Sequence, residues 1–279
     1  MISIIIPCYN NEVTITETLN SVKEQSYKNY EIIIINDGST DLSEKTINSF
    51  INNNTEISIS YKFQENNGPS KARNYGASFA KGDYLVFLDA DDILAHDCIE
   101  KMVLKWRENP NRLVFGQWHY FVNDISHVKL HNSVVYKDYD SALNWYVDVL
   151  ENAGAMLAGW MWLIPRSILE QSGGWDERLH LMNDFEFSTR LILNSDGIGF
   201  DRTISGSAAI SLYHSPYRDL IANPDTCPEN LLLWFHHLDW DYKMKSGRTL
   251  WDELCFMYNR GVETVREMQT TWETLAPLI

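Results

Sequence analysis

The sequence predicts an α/β protein: a mostly parallel sheet flanked by helices, followed by a helical C-terminal stretch. Three observations predict it. Apolar, β-branched runs recur along the first ninety residues, amphipathic segments separate them, and each run ends in a polar, mostly acidic cluster. Residues 2–6 are continuously apolar and stop at Pro7, as a strand buried on both faces does. Residues 12–25 carry Val13, Ile15, Leu19 and Val22 at helical spacing behind Asn and Glu, which favours an amphipathic helix. Residues 31–35 form a second short strand, 41–52 a helix, and 57–63 an alternating strand. Residues 69–80 return to helix with proline in the first turn, and 84–88 make a fourth apolar strand. A β-α-β-α-β-α-β succession implies parallel strands with helices on both faces.

In such sheets ligands gather at the carboxyl ends of the strands. Those ends are Pro7-Cys8-Tyr9-Asn10, Asn36-Asp37-Gly38, Gln64-Glu65-Asn66 and Asp89-Ala90-Asp91-Asp92, all on one expected edge. Beyond about residue 110 the rhythm changes, and all ten tryptophans lie at or after Trp106. Residues 112–120 suggest a strand, and 139–150 and 184–193 suggest helices; 231–244 and 250–268 are amphipathic and helical. The expected organisation is one domain over 1–220, with a nucleotide-type half at 1–110 and a substrate-type half at 111–220, and a helical extension over 221–279.

Composition narrows the partners. The 279 residues carry 23 Lys and Arg against 38 Asp and Glu, a formal net charge of −15. So acidic a chain is unsuited to a nucleic-acid backbone or to anionic lipid, which both need clustered Lys and Arg. An anionic small ligand is still compatible when a metal ion mediates. Cys8, Cys98, Cys227 and Cys255 form no C-x-x-C pair and read as free thiols of a reducing compartment. No signal peptide and no transmembrane run is legible, so the expectation is a cytoplasmic protein, with peripheral membrane contact as the variant.

The strongest chemical signal is Asp89-Ala90-Asp91-Asp92 directly after an apolar strand. Carboxylates two apart at a strand end suit a hard divalent cation that also takes diphosphate oxygens. An Asp-rich turn capping the next helix is the structural alternative.

The segments 2–10 (ISIIIPCYN), 36–41 (NDGSTD), 67–76 (NGPSKARNYG), 83–92 (DYLVFLDADD) and 173–179 (GGWDERL) resemble, in order and spacing, glycosyltransferase family 2. That family comprises inverting, nucleotide-sugar-dependent enzymes of the GT-A fold. The resemblance is close over roughly residues 1–200 and weakens after about 220. It implies that Pro7, Tyr9, Asn10 and Glu12 surround the nucleobase and that Asp37 accepts the N3–H of a uracil-type base. Arg73 would meet a base carbonyl or a phosphate. Asp89, with Ala90, would reach the ribose, Asp91 would ligate Mn²⁺ or Mg²⁺, and Asp92 would cap the following helix or support the metal. Asp184 matches the general base, with Asn183 standing where the family usually carries Glu, and Glu186 is the second candidate base. His214 matches a position that touches metal or diphosphate in some members. Trp160 and Trp162 fall where members bind acceptor; their alternation points both into the cleft or both into the core.

The expected activity is transfer of one sugar from a nucleoside-diphosphate sugar, UDP-linked by preference, to a saccharide or glycoconjugate hydroxyl. The C-terminal helices are candidates for a homodimer interface. A sugar-phosphate nucleotidyltransferase is the competing enzyme class, but it needs a Gly-rich basic loop where this chain has Cys8-Tyr9-Asn10-Asn11. A non-catalytic carbohydrate-binding relative is the third reading, which the intact Asp37, Asp91 and Asp184 disfavour. No G-x-G-x-x-G follows the first strand, against a dinucleotide-dependent dehydrogenase.

Overall fold

Ile2, Ile4, Ile5 and Ile6 are fully buried, as are Ile32, Ile34 and Ile35, because their strands lie mid-sheet with both faces covered. A computed structural model of the chain describes residues 1–121, 129–130, 135–141, 144–145, 148, 162–178 and 183–209. These belong to one compact unit, Met1–Ile210. Strand β1 (Ile2–Cys8) runs parallel to β2 (Tyr30–Asp37) and to β4 (Tyr84–Phe87), and β2 runs parallel to β3 (Ile59–Gln64). Pro7 lies beyond Ile5, the last β1 residue paired to β4, so its missing N–H leaves no gap on that side. Helices α1 (Ile15–Lys23), α2 (Ser43–Asn53) and α3 (Pro69–Phe79) make the crossovers. Helix α3 lies hard against β1: a Cβ on Gly76 would come within 2.5 Å of Ile5 Cγ2.

The second part of the sheet is mixed. Strand β8 (Trp162–Pro165) runs antiparallel to both β4 and β6 (Leu113–Phe121), and joins the two parts. Strand β9 (Ile198–Ala209) pairs parallel with β6 and antiparallel with the two-residue β5 (Ile93–Leu94), giving the order β3-β2-β1-β4-β8-β6-β9-β5, with β7 (Lys129–Leu130) on β6. Helices α4 (Cys98–Glu108), α5 (Arg166–Ser172) and α6 (Asn183–Leu193) complete the unit. The expected mostly parallel sheet with flanking helices is present, and its second part adds the antiparallel pairings that the sequence did not announce. Among the described residues no helix is long and apolar enough to cross a membrane.

Three local expectations change. Asp92 caps no helix: β5 follows it, and α4 begins after Asp97. Tyr139 opens no helix but bridges antiparallel to Ile198, and its hydroxyl donates to Asp148 Oδ2 at 2.6 Å. Strand β3 starts two residues later than its alternation suggests; as the edge strand it is only half-buried. The helices expected over 231–244 and 250–268, and the dimer interface expected there, lie outside the described residues.

Candidate active site

The carboxyl ends of β1, β2, β3 and β4 meet along one edge, as the parallel registers require. The loop after β1 is tied to the loop after β2. Asn10, held at φ 54°, accepts the Thr40 N–H on Oδ1 at 2.8 Å and donates its own N–H to Ser39 Oγ. Glu12 Oε2 accepts the Leu42 N–H at 2.7 Å. Asn10 and Glu12 are therefore braces of this rim, while the Tyr9 ring, 48% exposed, stands at its mouth with a face available for stacking.

Asp37 is buried, and its carboxylate is largely committed to protein. Oδ1 accepts from Gln64 Nε2 at 2.7 Å and the Asn67 N–H at 2.9 Å; Oδ2 accepts the Gly68 N–H at 2.9 Å. A carboxylate offers about four acceptor sites, so one is left for a ligand. Asp37 thus also fixes the start of α3, the helix that carries Arg73.

Arg73 is the centre of charge. It is 4% exposed, and its Nη2 donates to Asp89 Oδ1 at 2.7 Å while Nη1 lies 3.8 Å from Asp184 Oδ1. Burial works against its charge, but Asp89, Asp184 and Asp92 more than offset that, so its pKa stands above the ordinary arginine value. Its guanidinium lies 4.2 Å over the Trp175 ring. Among the described residues Arg73 Nε and Nη1 have no hydrogen-bond partner, and neither has Asp184 Oδ1. Unsatisfied buried polar atoms are rare. Here they come from α3 and α6 and lie around one ion pair.

Asp184 lies in the first turn of α6. Desolvation pushes its carboxyl up to about 6; Arg73 pulls it down, and Asp89 adds to the rise. Glu186 is differently placed. Its two oxygens take Arg190 Nε and Nη2 at 2.6 and 2.7 Å, a bidentate pair one helical turn on, which leaves it unsuited to proton transfer. Glu186→Gln is accordingly expected to lower the thermal midpoint by several degrees while sparing turnover, read by a melting curve beside an activity assay.

Two expected acceptor contacts are corrected. Trp162 is fully buried against Phe115 and Trp145, and its indole N–H donates to Ser188 Oγ at 3.1 Å: it is core. Asn183 is buried, and its amide donates to Ser70 Oγ at 3.1 Å, tying the start of α6 to the start of α3. Trp160 and His214 lie outside the described residues.

Asp89 and Asp91 are partly buried at the end of β4, with Ala90 and Asp92 buried beside them. Among the described residues no three His, Cys, Asp or Glu side chains group as a self-sufficient metal site. The available donors are hard carboxylate oxygens, which fit Mg²⁺ or Mn²⁺ only as one or two protein ligands beside phosphate and water.

The family model of glycosyl transferase family 2 matches residues 3–173, more than half of the chain. The chain belongs to glycosyl transferase family 2. A second model, the C-terminus of glycosyl hydrolase family 67, matches residues 180–279; it begins inside the unit just described, since α6 and β9 are part of it. An uncharacterized glycosyltransferase of Haemophilus influenzae is 38% identical over 130 residues, 47% of this chain and 52% of that one. Glycosyltransferase GlyA of Streptococcus pneumoniae is 32% identical over 176 residues, 61% of this chain and 25% of its own length. The chain thus spans about half or less of these relatives. Residues 1–349 of TarS from S. aureus, solved in complex with UDP, align with a TM-score of 0.64 and 22% identity over 75% of this chain and 60% of that one. The same protein in complex with UDP-GlcNAc gives 0.63 at 21% identity, over 75% and 58%. At such identity the likeness is one of fold.

Proposed function

We propose that the protein transfers a single sugar from a nucleoside-diphosphate sugar to an acceptor hydroxyl with inversion, Asp184 acting as the general base. The observation that carries this is Asp184 Oδ1: it is shielded, has no partner among the described residues, and lies 3.8 Å from a buried arginine at the nucleotide edge of the sheet. A base with a carboxyl raised to about 6 is mostly ionised at neutral pH yet basic enough to take a proton. As the acceptor oxygen bonds to the anomeric carbon, its proton passes to Asp184, and the sugar–phosphate bond breaks to release the nucleoside diphosphate.

Residues 1–110 form the donor half in this reading and 111–220 the acceptor half. Tyr9 offers the base a stacking face, Asp37 has one acceptor site left, and Arg73 holds Asp89 toward the ribose. Asp91, beside Asp89, would hold a divalent cation, Mn²⁺ or Mg²⁺, whose chemistry when bound is to neutralise the departing diphosphate. The preference for uracil is supported by the similarity to TarS, which was solved with UDP and UDP-GlcNAc. Free, buried Cys8 and Cys98 suit a reducing cytoplasm.

A thermal-shift screen of nucleoside diphosphates, with and without Mn²⁺, tests the reading. A ligand bound only by the folded state raises the midpoint, by about 2.7 kcal/mol of apparent stability at a hundredfold excess over Kd. UDP with Mn²⁺ is expected to give the largest shift, and Asp91→Asn to remove its metal-dependent part. A flat response to every nucleoside diphosphate would defeat the proposal; an Asp91→Asn response equal to the wild type would defeat the metal assignment.

A further inference from the structure

The turn at 173–177, between α5 and α6, is gripped by a side chain that lies 101 positions away. Asn74 Oδ1 accepts the Trp175 N–H at 2.7 Å, and its Nδ2 donates to the Trp175 carbonyl at 2.8 Å and to Glu177 Oε1 at 3.0 Å. An amide that satisfies both backbone groups of one residue fixes that residue's position and orientation together. The grip is close: a Cβ on Gly174 would fall 2.4 Å from Asn74 Oδ1, so a side chain there would have to push the amide off the Trp175 backbone.

What the grip holds is the Trp175 ring. It is buried, stacked on Phe187 at 4.1 Å with 20° between planes, and edged by Phe87. Arg73 lies against the ring at 4.2 Å. Arg73 and Asn74 are adjacent on α3, so one helix supplies both the cation and the clamp that secures the surface under it. The cation needs that surface. Two of its three nitrogens have no hydrogen-bond partner among the described residues, and an arginine side chain carries about 2 kcal/mol of rotamer entropy favouring release. With Trp175 displaced, the guanidinium could pivot about its Nη2 bond to Asp89 and change its distance to Asp184.

We infer that Asn74 is a positioning residue, which sets the place of the Arg73 guanidinium between Asp89 and Asp184 by locking Trp175 beneath it. Its kinetic consequence rests on the transferase reading; its structural consequence does not.

Two measurements test it. In ¹⁵N spectra of the protein without nucleotide, the Arg73 Nε–H, assigned by Arg73→Lys, should be shifted upfield by the indole ring. Asn74→Ala and Trp175→Leu should both move it to the ordinary arginine position, and Trp175→Phe, which keeps a flat ring, should hold most of the shift. An Asn74→Ala resonance left in place overturns the proposal. In transfer assays each of Asn74→Ala and Trp175→Leu should lower kcat/KM by about ten- to a hundredfold, as small misplacements do. Their double variant should be no worse than the poorer single one, since both act through one contact. Losses that simply multiply would mean separate structural roles and overturn it. If no donor is turned over by any form, the transferase reading fails while the spectra still decide where Arg73 is held.

Discussion

Asp184→Asn is expected to abolish transfer, by about 10²- to 10⁴-fold in kcat, while nucleotide binding and the fold persist. Asparagine keeps the shape and loses only the capacity to accept the proton. The wild-type rate should fall as pH drops through about 6, where the raised Asp184 carboxyl takes up its proton, and residual Asp184→Asn activity should lack that limb. Stability carries a second, opposite signature. A carboxyl raised above its unfolded value, near 3.9, favours the folded state below that value and loses this contribution as pH rises through the folded one. Ionised Asp184 thus weighs against the fold at pH 8. Asp184→Asn should therefore melt no lower than wild type at pH 8, and its advantage should shrink at pH 5. Calorimetric UDP binding, a pH–rate profile and melting at the two pH values check all of this. Undiminished transfer would remove Asp184 from the role of base, and a lower melting point at pH 8 would contradict its desolvated setting.

The parallel core was legible because its signals are local. Unbroken β-branched runs such as 32–35 can hardly be anything but buried strand, and Pro69 at the start of α3 marks a helix entrance. What escaped was short or nonlocal. Strand β5 has two residues and β8 four, too few for a period to register, and β9 includes Asp201, Arg202, Ser205 and Gly206 inside a strand. Trp162 shows the limit of alternation: period two says which residues share a face, not which face is the core. Asp37 shows another, since nothing local to it announces that the Asn67 and Gly68 amides will come to meet its oxygens. The choice between Asp184 and Glu186 was different. Arg190 stands four residues after Glu186 on the same helix, a spacing that favours an ion pair, and that pattern alone could have set Glu186 aside.

The largest loss of stability is expected from Arg73→Met, which keeps the length and the contact with Trp175 but removes the charge. Asp89 and Asp184, both about one-third exposed, would then face each other without their common cation. Breaking a buried ion pair from one side costs about 3–5 kcal/mol, and the partial exposure of both acids puts this case near the lower end. The sign with pH follows from Arg73 lowering the Asp184 carboxyl in the wild type: without it Asp184 titrates higher, and protonating it relieves the repulsion. The urea midpoint of Arg73→Met should therefore lie far below wild type at pH 8 and much closer at pH 5, with the slope unchanged. Adding Asp184→Asn should restore part of the loss at pH 8, because one of the two unpaired charges is gone. A deficit equal at both pH values, and untouched by the second substitution, would mean that the positive charge acts through the face of the Trp175 ring and not through the carboxylates it faces.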